Sequence, residues 1–160
     1  MRIEPVHHVP LRPEYKSPYS AAFAVEDARL VFFSGCTTVP VYHQHPHDYV
    51  EERVWLAKDL RQQTERAFEQ IKMILAVEGA DFGNIVKLTI YMTDISGQDI
   101  VNEVSARYLN MKNPPARGVI MQVAALAHPG LLVEIEGIFA VAKRTPKPRK
   151  RRARPARRRR

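Results

Sequence analysis

Two neighbouring stretches, Gln63-Thr-Glu-Arg-Ala-Phe-Glu-Gln-Ile-Lys72 and Ile85-Val-Lys-Leu-Thr-Ile-Tyr-Met92, decide the fold. Around the first, Leu60, Ala67, Phe68, Ile71, Ile74 and Leu75 recur at helical spacing. The pattern predicts one long amphipathic helix from about Glu51 to Val77. Gly79 is placed to close it in a left-handed C-terminal conformation. The second stretch is β-branched and half alternating, which predicts a strand ended by Thr93-Asp94.

Working outward, Tyr19–Val25 and Leu30–Phe33 read as strands joined in a hairpin, with Asp27-Ala28-Arg29 as the polar break. Val39 to Asp48 is rich in proline and histidine and reads as a loop. Ile100 to Met111 offers Val101, Val104, Tyr108 and Leu109 for a second helix, which Pro114-Pro115 stops. Arg117 to Leu126 and Leu131 to Ala142 read as strands on either side of a turn at Ala127-His128-Pro129-Gly130. The order β-β-α-β-α-β-β predicts an α+β domain, a mixed sheet with two helices on one face.

The formal charge of +8 is an average over two unlike segments. From Lys143 to Arg160 the chain carries 12 of its 25 basic residues and no acid. Three prolines and no apolar residue larger than alanine leave that tail nothing to bury, so it is expected to be disordered. The domain is therefore 1–142, and its 17 acids outnumber its remaining 13 bases. An arginine tail attracts phosphate backbones without reading sequence, so nonspecific nucleic-acid contact is one use open to it, beside contact with an anionic surface or the acidic body of its own oligomer, or a solubilising role with no partner. No run of eighteen apolar residues exists, so no transmembrane helix and no membrane partner is expected. A single cysteine, Cys36, permits no internal disulfide, and a reduced, cytoplasmic protein is the expectation.

Few residues inside the predicted strands carry chemistry. Arg117 opens a strand directly after Pro114-Pro115-Ala116. Glu134 and Glu136 interrupt an apolar run, and period-two alternation puts both carboxylates on one face, in water or against partners. His43, His45 and His47 alternate, and an extended backbone would point them the same way. A metal site needs further ligands and supporting partners that the sequence does not display, so the reading is a surface loop and no metal ligand is assigned. Cys36 reads as a small buried apolar residue, His128 as exposed in its turn, and Trp55 as packing.

Six stretches in order then carry a resemblance: Lys16-Ser-Pro-Tyr19-Ser20, Leu30-Val-Phe-Phe-Ser-Gly35, Gln63 to Lys72, Gly83 to Asp94, Pro115-Ala-Arg-Gly118 and Val133-Glu-Ile-Glu136. The set resembles the reactive intermediate deaminase family (RidA, also called YjgF) over nearly all of Tyr19–Ala142. The resemblance implies a chorismate-mutase-like fold and a homotrimer with active sites in clefts between subunits. It implies hydrolysis of reactive enamines and imines, typically 2-imino acids, to keto acids and ammonia, with no cofactor. Arg117 matches the arginine that grips the substrate carboxylate, and Glu134 the glutamate associated with the attacking water. Tyr19 matches an aromatic lining the cleft, and Ser34-Gly35 the turn whose backbone faces substrate. Asn102 aligns with a helix asparagine and receives no role.

The chain also departs from the family pattern. Gly118 and Val119 stand where a hydroxyl residue and a cysteine often follow the arginine, and the Tyr42–Val54 region is longer than usual. Both features leave room for a larger unsaturated amino acid such as 2-aminomuconate. A non-catalytic ligand-binding or nucleic-acid-associated protein that uses the tail is the alternative of another class. If Leu126 paired with Leu131 across a tight hairpin, Arg117 would lie opposite Ala140, about 20 Å along the sheet from Glu134. The expectation is that Arg117 of one subunit meets Glu134 of its neighbour.

Overall fold

In a computed structural model of the chain, residues 1–10, 14, 17–112 and 114–143 are described, with the backbone alone for Ala116 and Arg117. The elements are β1 (Arg2–Val6), β2 (Ala22–Glu26), β3 (Ala28–Cys36), α1 (Leu60–Val77), β4 (Ile85–Met92), α2 (Gln98–Tyr108), β5 (Ala116–Gln122) and β6 (Val133–Ala142). Two helices on a mixed sheet give the predicted α+β class. The tail from Arg144 to Arg160 lies outside the described residues.

The long helix begins later than its apolar spacing suggests. Glu51–Trp55 forms a separate 3-10 turn, and α1 starts only where the Asp59 carboxylate accepts the Gln62 N–H at 2.9 Å. That acceptor satisfies an N-terminal amide that the helix itself leaves orphaned. The other end closes as expected. Gly79 has φ +67°, its N–H donates to Ala76 O at 3.0 Å, and the Ala80 N–H donates to Leu75 O at 3.0 Å, a Schellman cap.

Strand pairing corrects both expected hairpins. β2 does not turn back onto β3; it pairs antiparallel with β1, a strand that the sequence reading missed. Asp27, at φ +50°, stands between them, and β3 continues into the main sheet, where Phe33 and Cys36 are buried. The main sheet has the order β3-β6-β4-β5. β5 runs parallel to β4, which requires the crossover that α2 supplies. β6 then inserts between β3 and β4, antiparallel to both. A ten-residue strand with one thoroughly apolar face belongs in the centre, whereas β5 opens just after Pro115, a residue that edge strands tolerate. Arg117 consequently aligns with Leu88 and, across β4, with Gly137, not with Ala140.

One side of the sheet is closed by α1 and α2 around Phe68, Ile71, Leu75, Leu88, Ile90, Val101, Val104, Ile135 and Phe139, all of them buried. Phe68 stacks on Tyr108 with ring centres 4.8 Å apart and so joins the two helices. Glu103 of α2 meets Arg61 of α1 in a bidentate pair at 2.9 and 2.7 Å, and Arg107 bridges Glu103 and Glu65. Those two guanidinium groups hold the Glu103 carboxyl at about 2. No helix among the described residues is long and apolar enough to cross a membrane.

Phe68→Ala is expected to cost about 3–5 kcal/mol in denaturant unfolding, because it empties the junction of both helices with the sheet. A loss below about 1 kcal/mol would place the core elsewhere.

Candidate functional site

The sheet's other face carries the polar residues. β6 alternates so that Val133, Ile135, Gly137 and Phe139 are buried while Glu134 and Glu136 stand half-buried on the uncovered side. Their neighbours on β4 are Tyr91, aligned with Glu134, and Thr89, aligned with Glu136. The Tyr91 hydroxyl donates to Glu136 Oε1 at 3.1 Å, which ties up one carboxylate of the pair. Glu134 has no such anchor at its own carboxyl in the hydrogen bonds described. Burial, and after it the charge of Glu136, pushes the Glu134 carboxyl above the ordinary carboxylate range. The two adjacent acids thus differ in their surroundings: Glu136 is held by the Tyr91 hydroxyl, and Glu134 has its proton affinity raised by burial.

Ser34 and Gly35 lie where β3 bulges against β6: Phe33 aligns with Gly137, but Cys36 with Ile135. The extra residue re-aims the strand end. It also brings the Gly35 backbone against the Glu134 side chain, so that a Cβ at Gly35 would stand 1.7 Å from Glu134 Oε1. Glycine here makes room for the Glu134 side chain, a matter of close approach and not of φ. Cys36 beneath is fully buried, and burial pushes its thiol up to about 12, with the Glu134 charge adding to the effect.

Tyr19 is half-exposed and lines a cleft of about 400 Å³ with Gln98 and Asn102 of α2 and Gly118, Val119 and Ile120 of β5. The Arg117 backbone precedes Gly118 at the cleft's edge. A Cβ on Gly118 would stand 2.6 Å from Lys87 Cε, so the lysine stem fills the room that a larger residue there would need.

Two groupings thus emerge in one chain: Ser34, Gly35 and Glu134 at one place, and Tyr19 with the start of β5 at another. Arg117 aligns with Leu88 and Glu134 with Tyr91, three positions along β4. With two strand spacings between them, the backbones stand about 14 Å apart on the diagonal, in place of the 20 Å that a hairpin would impose.

Sequence reasoning missed a third grouping. His128 is not exposed in its turn but buried, with Nε2 3.2 Å from Glu52 Oε2. Glu52 is itself buried, and His47 Nδ1 lies 2.9 Å from the same oxygen. A buried carboxylate needs such partners, and the turn at 127–130 folds in to supply one. Neither residue belongs to a local pattern, so nothing in the sequence signals the contact. Trp55 is half-buried, as its packing reading requires, with its ring 6.2 Å from that of His43.

Comparison with known proteins adds an independent line. The family model described as Endoribonuclease L-PSP matches residues 10–141. Protein DfrA of Myxococcus xanthus is 37% identical over 131 residues, covering 82% of this chain and 91% of that protein. Human 2-iminobutanoate/2-iminopropanoate deaminase is 38% identical over 77 residues, 48% of this chain and 54% of that protein. The crystal structure of RidA from the Antarctic bacterium Psychrobacter sp. PAMC 21119 superposes with a TM-score of 0.57 at 29% identity, covering 86% of this chain and 94% of that one.

Gly35→Ala is expected to lower the unfolding free energy by about 1 kcal/mol, since the Glu134 side chain must turn away from its Cγ outward. A crystal structure of the variant is expected to show the Glu134 carboxylate swung off residue 35. A carboxylate that stays in place would contradict the packing described.

Proposed function

Because this chain belongs to the Endoribonuclease L-PSP family, the RidA/YjgF group, we propose that it hydrolyses reactive imines and enamines, chiefly 2-imino acids, to 2-keto acids and ammonia. The observation that carries the reading is Glu134, a half-buried acid of raised proton affinity set against a bare glycine backbone on the sheet's uncovered face. The relative named as an imine deaminase supports the same chemistry.

In this reading the Arg117 guanidinium binds the substrate carboxylate as a planar, always-charged fork. The protonated imine carbon is already electrophilic. Glu134 orients a water and accepts its proton as the oxygen bonds to that carbon. The proton then passes to the nitrogen, the C–N bond breaks and ammonia leaves as the hydroxyl gives its remaining proton to the Glu134 carboxylate and becomes the carbonyl. A carboxyl with a raised pKa suits this two-way exchange near neutral pH better than an ordinary one. Holding substrate and water together is the main catalytic contribution.

The site is proposed to be completed between subunits of a homotrimer. The diagonal separation of Arg117 from Glu134 within one chain favours this. So does the uncovered sheet face, where Phe32 is 71% exposed and Leu30 46%, more apolar surface than a strand usually leaves in water. The division into a domain over 1–142 and a basic tail stays part of the proposal, with the tail as a nonspecific phosphate-binding appendage not needed for catalysis.

The test generates an imino acid in situ with an amino-acid oxidase and follows its disappearance. Arg117→Ala and Glu134→Ala are each expected to lower kcat/KM by about 100-fold or more, and a chain ending at Ala142 to retain activity. Co-expressing the two inactive variants is expected to restore about a quarter of the wild-type sites if each site draws on two subunits of a random trimer. No recovery at all would return both groups to a single chain.

The pH profile gives a separate check. A raised Glu134 pKa means that the base is lost, as pH falls, earlier than for an ordinary glutamate. The acid limb of kcat/KM is therefore expected above the usual carboxylate range, and Glu136→Gln is expected to move it down by removing the neighbouring charge. An acid limb that Glu136→Gln leaves unmoved would take Glu134 out of the proton-accepting role.

A further inference from the structure

We propose that His43, His45 and His47 bind one divalent transition-metal ion of the zinc, nickel or copper class, with Glu52 fixing the ligand set from behind. The three rings form a nearly equilateral triangle, with centres 4.6, 4.8 and 4.6 Å apart. One ligand atom from each lies within 4.8 Å of the others. Imidazoles sharing one ion at a metal–nitrogen distance of ~2.0–2.1 Å stand about 5 Å apart between ring centres, so the rings already have that separation.

The hydrogen bonds decide which nitrogens face the ion. His43 Nδ1 lies 2.7 Å from Pro40 O. A carbonyl oxygen can only accept, so the proton is on Nδ1 and the Nε2 lone pair is open. That Nε2 is buried and has no hydrogen-bond partner. Leaving a buried polar atom unpaired is costly, and a cation among the rings removes the cost. His47 repeats the arrangement, its Nδ1 donating to the Glu52 carboxylate at 2.9 Å and its Nε2 left for the ion. A carboxylate behind a ligating imidazole fixes the tautomer and ring orientation and raises the basicity of the ligand. Glu52 is 3% exposed, and His128 Nε2 lies 3.2 Å from the same carboxylate. His45 is the exposed member and closes the set from the solvent side.

Three neutral nitrogen donors exclude magnesium and calcium, which take oxygen, and suit zinc, nickel or copper with a fourth position open to water. The ion would brace the loop that leaves β3 just past Gly35. Through Glu52 and His128 it would also tie that loop to the turn that enters β6 ahead of Glu134. The proposal does not depend on the deaminase reading.

The test uses the full chain after chelator treatment, titrated calorimetrically with Zn²⁺ and spectroscopically with Co²⁺. One ion per chain is expected, with micromolar or tighter affinity and the visible bands of a nitrogen-bound Co²⁺. His45→Ala removes an exposed side chain that the fold does not need, and is expected to weaken binding by about 100-fold. Glu52→Gln is expected to weaken it by about 10- to 100-fold. Replacing His7 and His8, the histidines outside these groups, is expected to change nothing. Stoichiometry well below one, unchanged affinity in His45→Ala, or loss of binding with His7 and His8 would overturn the site. Unchanged affinity in Glu52→Gln would remove Glu52 from it.

Discussion

β6 is hydrogen-bonded along both edges, to β3 on one side and β4 on the other, and its register sets what each face of the sheet presents. A slip of one residue would turn Glu134 and Glu136 into the core and Ile135 and Phe139 into water. The burial of the odd positions therefore holds the acids outward as firmly as it holds the core inward. Gly137 reinforces the register, since a Cβ there would stand 2.5 Å from the Lys87 carbonyl oxygen and 2.6 Å from the Phe33 ring. The placement of the acids is in this sense a by-product of core packing.

Two buried glutamines of α1 extend that order to the loops. Gln70 donates to Thr37 O at 2.7 Å and Val39 O at 2.6 Å, and accepts from the Val41 N–H at 2.8 Å. Gln63 donates to Gly130 O at 2.9 Å and accepts from the Leu132 N–H at 2.9 Å. Each side-chain amide replaces water for backbone groups that have left the sheet. The segments they hold are the one that leaves β3 after Ser34-Gly35 and the one that enters β6 before Glu134. One helix face thus sets both approaches to the carboxylate.

The sequence makes periodicity legible and pairing illegible. The helical spacing of Phe68, Ile71 and Leu75 and the closing Gly79 read correctly, and alternation alone put Glu134 and Glu136 on one face. The choice of strand neighbour did not read, because period two says which face a residue takes and nothing about which strand lies beside it. That is why β5 was expected against β6, and why β1 was missed. The start of α1 was misjudged for a local reason, the Asp59 cap being hidden within a run that is helix-like on both sides. The contact of Glu52 with His128, and the bulge that lays Gly35 on Glu134, arise from chain segments far apart in sequence and leave no local trace. The resemblance to a family supplied the candidate roles of Arg117 and Tyr19, which composition alone could not.

The chain's one thiol, Cys36, is fully buried with its acidity suppressed. Peroxide and electrophiles attack the thiolate and need access to it, so this sulfur offers them neither charge nor approach. Oxidative damage would fall first on thioethers at the surface, such as Met73, which is 64% exposed on the outer side of α1. Met73 lines a cleft with Phe33 and Ser34, so a sulfoxide there would place a polar oxygen on the approach to the bulge that carries Gly35.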